Sequence, residues 1–226
     1  NGRAIAQRFA DEGANVTVAD VREDPRMGGD PTHELIKSEG GTAQFVNCDV
    51  SSIEDLHAAV DATVDVFGSL DVMVNNAGVE RQKPLNEVTE EDYEWLMDIN
   101  LKGVFFGSQA AVEVMREQEA GGSIINMSSI GGICGLENSS LYCASKGGVT
   151  NLTRELAVEH GDVDIRVNAL HPGFIETATP MDDGDTAGRL LDQTPRAPAG
   201  TPEDGADAWP APPSDAPAPV TVTQPV

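Results

Sequence analysis

Aromatic residues make up only 4% of the 226 positions, and lysine occurs four times, at 37, 83, 102 and 146. The three cysteines (48, 134 and 143) are odd in number and include no Cys-x-x-Cys pair, and the four histidines (33, 57, 160 and 171) form no ligand-spaced cluster. Neither a disulfide framework nor a zinc site fits that pattern, and no metal is expected. No apolar run approaches the ~20 residues that span a bilayer. No signal peptide is evident either, so the expected compartment is a reducing cytoplasm. Positive charge is scarce as well: 14 Lys+Arg stand against 38 Asp+Glu, a formal charge of −24. Such a chain repels phosphate backbones and anionic lipid, which excludes nucleic-acid binding and polybasic membrane attachment as first expectations.

Residues 180–226 carry −6 of this charge and leave −18 on residues 1–179, so the acidity is spread over the part expected to fold. An acid-rich, lysine-poor surface suits concentrated salt, where screening shortens self-repulsion to about 3 Å at 1 M. That is the halophilic reading of the composition; an ordinary acidic enzyme is the other.

Short β-rich runs alternate with longer helical stretches, the pattern of an α/β protein with a parallel sheet. Val16–Asp20, Ala43–Asn47, Leu70–Asn75, Ser123–Met127 and Ile165–Leu170 read as buried strands. Ser51-Ser52-Ile53-Glu54 reads as a capping box and Asp30-Pro31 as an N-cap with proline at the first turn. Gly13, Gly40, Gly68 and Gly161 mark helix ends, and residues 89–117 and 139–160 read as the two long helices. The chain opens inside an apparent helix, at Asn1-Gly2-Arg3-Ala4-Ile5-Ala6, with no strand before it. From residue 196 onward the bulky apolar residues are Trp209, Val220, Val222 and Val226, and prolines interrupt the rest. The expectation is therefore a domain over 1–195 and a mostly disordered tail over 196–226, unable to supply a central strand.

Tyr142 and Lys146 are four residues apart, on one face of a helix. An ammonium beside a phenol favours the phenolate and draws its pKa from about 10 toward neutral, as a proton-transferring tyrosine requires. Ser128 and Ser129 lie at the end of a buried strand, with Ser129 13 residues before Tyr142. Hydroxyls at the carboxyl edge of a parallel strand face the crevice in which such sheets bind ligands.

These residues resemble the short-chain dehydrogenase/reductase family. The pieces that carry the resemblance are Asn75-Asn76-Ala77-Gly78, Asn100 within Asp98-Ile99-Asn100-Leu101-Lys102-Gly103, Ser129, Tyr142 with Lys146, and Pro172-Gly173 after Arg166-Val167-Asn168. The implied fold is a Rossmann-type, doubly wound parallel sheet in three α/β/α layers, here lacking its first strand. The implied activity is hydride transfer between a nicotinamide cofactor and a secondary alcohol or carbonyl. Tyr142 would be the general acid/base, Lys146 would lower its pKa and bond the nicotinamide ribose, and Ser129, favoured over Ser128 by its 13-residue spacing to Tyr142, would polarise the carbonyl oxygen. Asn100 would bond a water that relays protons to Lys146; a local cap is its plainer reading.

The same resemblance implies cofactor contacts. Asn76, Ala77 and Gly78 would approach the adenosine ribose, and Asp49 with the adjoining Val50 the adenine, although Asp49 also reads as a helix N-cap. Pro172, Gly173, Ile175 and Thr177 would contact the carboxamide and pyrophosphate. Asp20 closes the second family strand 18 positions after Gly2, near the ~20-residue offset at which an acid bonds the 2′-hydroxyl of NAD, so NAD is favoured over NADP. Arg22 works against that preference.

Gly2 matches the last glycine of the family's Thr-Gly-x-x-x-Gly-x-Gly loop; the rest of that loop and the central strand before it have no counterpart. The expectation is weak or absent cofactor binding by the chain as written, from a parent that is an active homodimer or homotetramer. The branches that fit are 3-oxoacyl-carrier-protein reductase and glucose 1-dehydrogenase, and the lack of a basic patch for an acyl carrier points toward a free small-molecule substrate. A non-catalytic dinucleotide-binding protein or an inactive fragment on the same fold is the alternative. The joint presence of Asn100, Ser129, Tyr142 and Lys146 argues against a binding-only relative.

Overall fold

A computed structural model describes residues 1–26, 28–173, 175, 201–202 and 219–223. Helix α1 (Gly2–Asp11) leads into β1 (Asn15–Asp20), α2 (Thr32–Ser38), β2 (Thr42–Asn47), α3 (Ile53–Phe67) and β3 (Val72–Asn75). Then come α4 (Glu90–Met97), a π-helical turn (Asp98–Lys102), α5 (Gly103–Glu117), β4 (Gly122–Met127), α6 (Ser140–Glu159), β5 (Ile165–Leu170) and β6 (Pro219–Thr223). The strands form one six-stranded sheet in the order β2-β1-β6-β3-β4-β5. Each neighbouring pair is parallel, with Val16 opposite Ala43 and Val74 opposite Ile125.

One correction concerns the tail. The middle of the sheet, where the first strand was expected to be missing, is occupied by β6: Val220 pairs with Val16 on one side and Val72 on the other. The tail therefore does supply a central strand. Val220-Thr221-Val222-Thr223 is a run of β-branched residues, and Pro219 falls at the first position of the strand, where a missing N–H is tolerated. Without β6, the facing backbone groups of β1 and β3 would lose their partners in the sheet interior. Apart from residues 201–202 and β6, the expected tail lies outside the described residues.

Side chains alternate across the sheet. Val16, Val18, Val72, Val74, Ile125 and Met127 pack with Ile5, Ala6 and Phe9 of α1 and Ile36 of α2. Met73 and Ile124 point the other way, into a cluster with Val60 of α3 and Ala110, Ala111 and Met115 of α5. Helices thus cover both faces, giving the three layers. A polar ladder crosses the second interface: Asn75 Nδ2 donates to Ser108 Oγ (3.1 Å) and Asn126 Oδ1 (2.9 Å), and Asn126 Nδ2 donates to Thr153 Oγ1 (3.0 Å). Every member is partnered, which keeps buried amides from costing about 1–3 kcal/mol each.

Helix boundaries follow their caps, displaced by one residue at two places. Ser52, not Ser51, caps α3, accepting from the Asp55 N–H, and Gly68 ends that helix in the left-handed region at φ 86°. Helix α2 starts at Thr32, with Pro31 rather than Asp30 before it. The long stretch 89–117 is interrupted by the π turn around Asn100, while Thr89 and Asp92 form a full capping box at its start.

The strand order reverses across β6: β1 and β2 run outward on one side, β3, β4 and β5 on the other. In open α/β sheets the ligand crevice lies beyond the carboxyl ends of the strands at such a switch point. The central placement of β6 is open to measurement. Thr221→Pro removes an amide donor from a strand flanked on both sides, and is expected to lower the unfolding free energy by about 3 kcal/mol or more in urea denaturation. An unchanged urea midpoint would contradict that placement.

Candidate active site

The strand ends Asp20, Asn75, Met127 and Leu170 bring the loops after β1, β3, β4 and β5 to one edge, and the first turns of α6 lie beside them. There Lys146 is buried, 3% exposed, and its Nζ donates to the carbonyl of Met127 at 2.8 Å. The same Nζ lies 5.8 Å from the centre of the Tyr142 ring. The Ser129 hydroxyl faces the Tyr142 phenol and favours its ionised form, and also accepts from the Gly131 N–H at 3.1 Å. Tyr142, Lys146 and Ser129 are thus brought together as the sequence spacing requires.

Their electrostatics differ from the expectation. Burial pushes Tyr142 up to about 12 and outweighs the Ser129 hydrogen bond, with the Glu80 carboxylate adding in the same direction. Burial draws Lys146 down to about 8, opposed by Glu80. The ammonium spends its contact on the Met127 carbonyl rather than on the phenol oxygen, so helical spacing alone does not make a low-pKa tyrosine.

Ser128 and Ser129 part company at the end of β4. Ser128 Oγ turns into α6, donating to the Lys146 carbonyl at 3.0 Å and meeting Thr150 Oγ1 at 2.8 Å. It ties strand to helix, and Ser129 is left as the hydroxyl of the site. Gly132 makes this close approach possible, because a Cβ there would collide with Ser128 Oγ, the Lys146 carbonyl and Thr150 Oγ1.

Asn100 is fully buried in the π turn. Its Oδ1 accepts from the Val79 N–H at 2.7 Å, and its Nδ2 donates to the Val79 carbonyl at 2.8 Å and to Ser145 Oγ at 3.2 Å. Both ends of the carboxamide meet backbone, so the side chain clamps the loop after β3. That clamp sets Gly78 against the lysine: a Cβ on Gly78 would lie 3.2 Å from Lys146 Nζ and 3.4 Å from Asn100 Oδ1.

The cofactor candidates fall into three groups. Asp20 is buried at the end of β1, where Oδ1 accepts from the Arg22 N–H at 3.1 Å; burial raises its pKa, against the pull of the Arg22 and Val21 amides and of the Arg22 and Arg26 charges. Asn76, Ala77 and Gly78 line the loop beyond β3, and Pro172 is held beside the site where its carbonyl accepts from the Ile130 N–H at 3.1 Å. Gly173 and Ile175 follow it. Asp49 makes local contacts, accepting from the Ser51 N–H at 2.9 Å and Ser51 Oγ at 2.7 Å, in a turn ahead of Ser52, the residue that caps α3; Val50 packs its side chain with Leu56, Ala77 and Ile99. Gly2 is buried at the first position of α1. Thr177 lies outside the described residues. An edge with a buried carboxylate at one end, a bare Gly78 backbone in the middle and the Lys146 ammonium behind it fits an extended dinucleotide.

Sequence reasoning passed over three participants: Glu80, Ser139 and His171. Ser139 Oγ donates to Glu80 Oε1 at 3.0 Å, and His171 Nδ1 donates to the Ser129 carbonyl at 3.1 Å. No spacing rule links residues 59 or 42 positions apart, so only the fold could join them.

The buried ammonium has a consequence for stability. Because the folded pKa of Lys146 lies below its unfolded value, its charge opposes folding fully below about pH 8, and the cost fades as pH rises toward the unfolded lysine value. Lys146→Met is expected to abolish turnover yet stabilise the fold by about 1–3 kcal/mol at pH 7. In thermal melts at a series of pH values, that gain should shrink above pH 8.

Comparison with known proteins bears on the family. Residues 2–221 match the family profile described as enoyl-(acyl carrier protein) reductase. The chain is 42% identical over 189 residues to trans-4-hydroxycyclohexanecarboxylate dehydrogenase of Sinomonas cyclohexanicum, covering 81% of this chain and 70% of that protein. It is 38% identical over 213 residues to glucose 1-dehydrogenase 2 of Bacillus subtilis, covering 92% and 82%. Among solved structures, a short-chain type dehydrogenase/reductase from Mycobacterium marinum superposes with a TM-score of 0.87 at 28% identity, over 99% of this chain and 89% of that one. The fold, the Ser129–Tyr142–Lys146 grouping and these relatives agree: the chain belongs to the short-chain dehydrogenase/reductase family of NAD(P)-dependent oxidoreductases.

Proposed function

We propose that the protein interconverts a small, free secondary alcohol or sugar hydroxyl and its carbonyl, with Tyr142 as the acid/base, Ser129 as the oxyanion-side hydroxyl and Lys146 and Asn100 as the groups that order the site. The observation that carries this reading is the convergence of the Tyr142 phenol, the Ser129 hydroxyl and the Lys146 ammonium beside the half-buried backbone of Gly78. A bound nicotinamide supplies or accepts the hydride. In reduction, a carbonyl oxygen gaining negative charge takes a hydrogen bond from Ser129 and the proton from Tyr142. A phenol held protonated by burial is suited to that donation. In alcohol oxidation the same oxygen needs the phenolate, so raising the pH helps.

Asp20 supports NAD as the preferred cofactor, since a buried carboxylate at the end of β1 accepts a 2′-hydroxyl and repels a 2′-phosphate. The formal charge of −24 supports a salt-adapted protein of the cytoplasm, and among the described residues no helix is long and apolar enough to cross a membrane. A homo-oligomeric assembly is part of the same reading.

Steady-state assays with NAD and NADP over D-glucose, cyclohexanol and 2-propanol, at low and molar salt, test it. Oxidation kcat/KM is expected to climb about tenfold per pH unit through the neutral range, as a phenolate-dependent step requires. Tyr142→Phe is expected to lose about 10²–10⁴-fold in kcat with the melting temperature retained; intact turnover would remove the acid/base role. Asp20→Ser is expected to narrow the preference for NAD over NADP by about tenfold, one such contact being worth roughly 1.4 kcal/mol.

A further inference from the structure

Glu80 follows directly on the segment clamped by Asn100. Its predecessor Val79 is held at both N–H and C=O by that carboxamide, and the two bases after it, Arg81 and Lys83, turn away to buried Asp92 at 2.6 and 2.5 Å. Arg81 also lies over the Trp95 ring, 4.4 Å from its centre. Across the site, the Lys83 N–H donates to the Asn138 carbonyl at 2.7 Å, lashing this loop to the segment that opens α6. The half-buried Glu80 carboxylate is thus fixed between two anchors, and its Oε1 is held by Ser139 Oγ, one residue before α6 begins.

We propose that Glu80 is a positioning residue of the active site: its carboxylate, fixed by Ser139 and left unneutralised by its neighbouring bases, sets electrostatically the pH range in which Tyr142 and Lys146 work. This rests on the acid/base reading of Tyr142 given above. A negative charge at that place holds protons on both groups, keeping the buried lysine charged and the phenol protonated. The groups facing Tyr142 are Ser129 from the end of β4, Cys143 on its own helix and Glu80 from the loop after β3, with the Lys146 ammonium beyond the ring. His171, from the loop after β5, reaches only the Ser129 carbonyl. Lys146 has the Met127 carbonyl and Glu80. Among these, Glu80 is the carboxylate whose place ties it to both: it follows by two residues Gly78, where a Cβ would lie 3.2 Å from Lys146 Nζ, and it is bonded to Ser139, three residues before Tyr142.

The test uses the full chain and has two readouts. The sequence holds two tyrosines, Tyr93 and Tyr142, so a Tyr93→Phe background leaves Tyr142 as the sole phenol for ultraviolet phenolate titration. In that background Glu80→Gln is expected to move the Tyr142 midpoint down by about half a unit to one unit, the size of one charge acting across a partly buried site. The rising limb of the pH profile for alcohol oxidation should shift down with it, while Glu80→Asp, which keeps the charge, restores most of the original profile. Ser139→Ala leaves the carboxylate in place but untethered, and is expected to give a smaller shift of the same sign if Glu80→Gln folds poorly. An unmoved Tyr142 midpoint, or a loss of activity equal at every pH, would overturn the proposal. Intact turnover in Tyr142→Phe would instead overturn the acid/base reading, while the titration would still report whether Glu80 acts on the phenol.

Discussion

The Asn100 carboxamide is the contact on which the site depends. One fully buried side chain satisfies the N–H and C=O of Val79 and reaches Ser145 on α6, so three separate pieces of chain share one planar group. The π turn at 98–102 delivers it there: the extra residue per turn pushes Asn100 out of the regular helical register that α4 and α5 otherwise share. With Val79 fixed, Gly78 is pressed toward Lys146 and Glu80 is held at the rim. A backbone loop, which left to itself would be mobile, acquires the rigidity of the helices on which it rests.

Burial is what gives the catalytic pair its character, and it works against the charges the pair must carry. Tyr142 and Lys146 are both shifted in the direction that favours the neutral form. The fold tolerates this because each polar atom has a specific partner, the Met127 carbonyl for the ammonium and Ser129 for the phenol. Elsewhere in the interior the same rule holds, as in the Asn75–Asn126–Thr153 ladder and the Ser128–Thr150 tether. Structural and catalytic polar groups differ in one respect: the structural ones are saturated by protein, whereas the catalytic ones stand beside backbone with no side chain, at Gly78 and Gly131.

Five of the six strands were legible from short runs rich in apolar residues, within two residues at their ends, because a strand covered by helices carries a large share of apolar side chains. The sixth was not: Val220–Thr223 sits among prolines and small residues, and it is strand only because two neighbouring strands offer it ladders on both sides. At the site, Tyr142, Lys146 and Ser129 were legible because their roles follow from spacing on one helix and one strand end. The 13-residue spacing to Tyr142 already favoured Ser129 over Ser128, and the direction in which each side chain leaves β4 gives Ser128 its separate role as a tether to α6. Asp49 was placed against adenine with a helix cap as its plainer alternative, and the structure gives the cap of α3 to Ser52 while Asp49 bonds Ser51.

Taken alone, the sequence determined the fold class and the alternation of strand and helix and brought Tyr142, Lys146 and Ser129 forward as candidates, since local periodicity and short spacings carry that information. The tertiary structure decided everything that depends on long-range approach: which strand fills the centre of the sheet, that Asn100 clamps Val79, that burial raises Tyr142 rather than lowering it, and that Glu80 is tethered to Ser139 at the start of α6. The reason is common to all four. Burial and Coulombic interaction depend on distance through space, and residues as far apart as 80 and 139 acquire a distance only when the chain is folded.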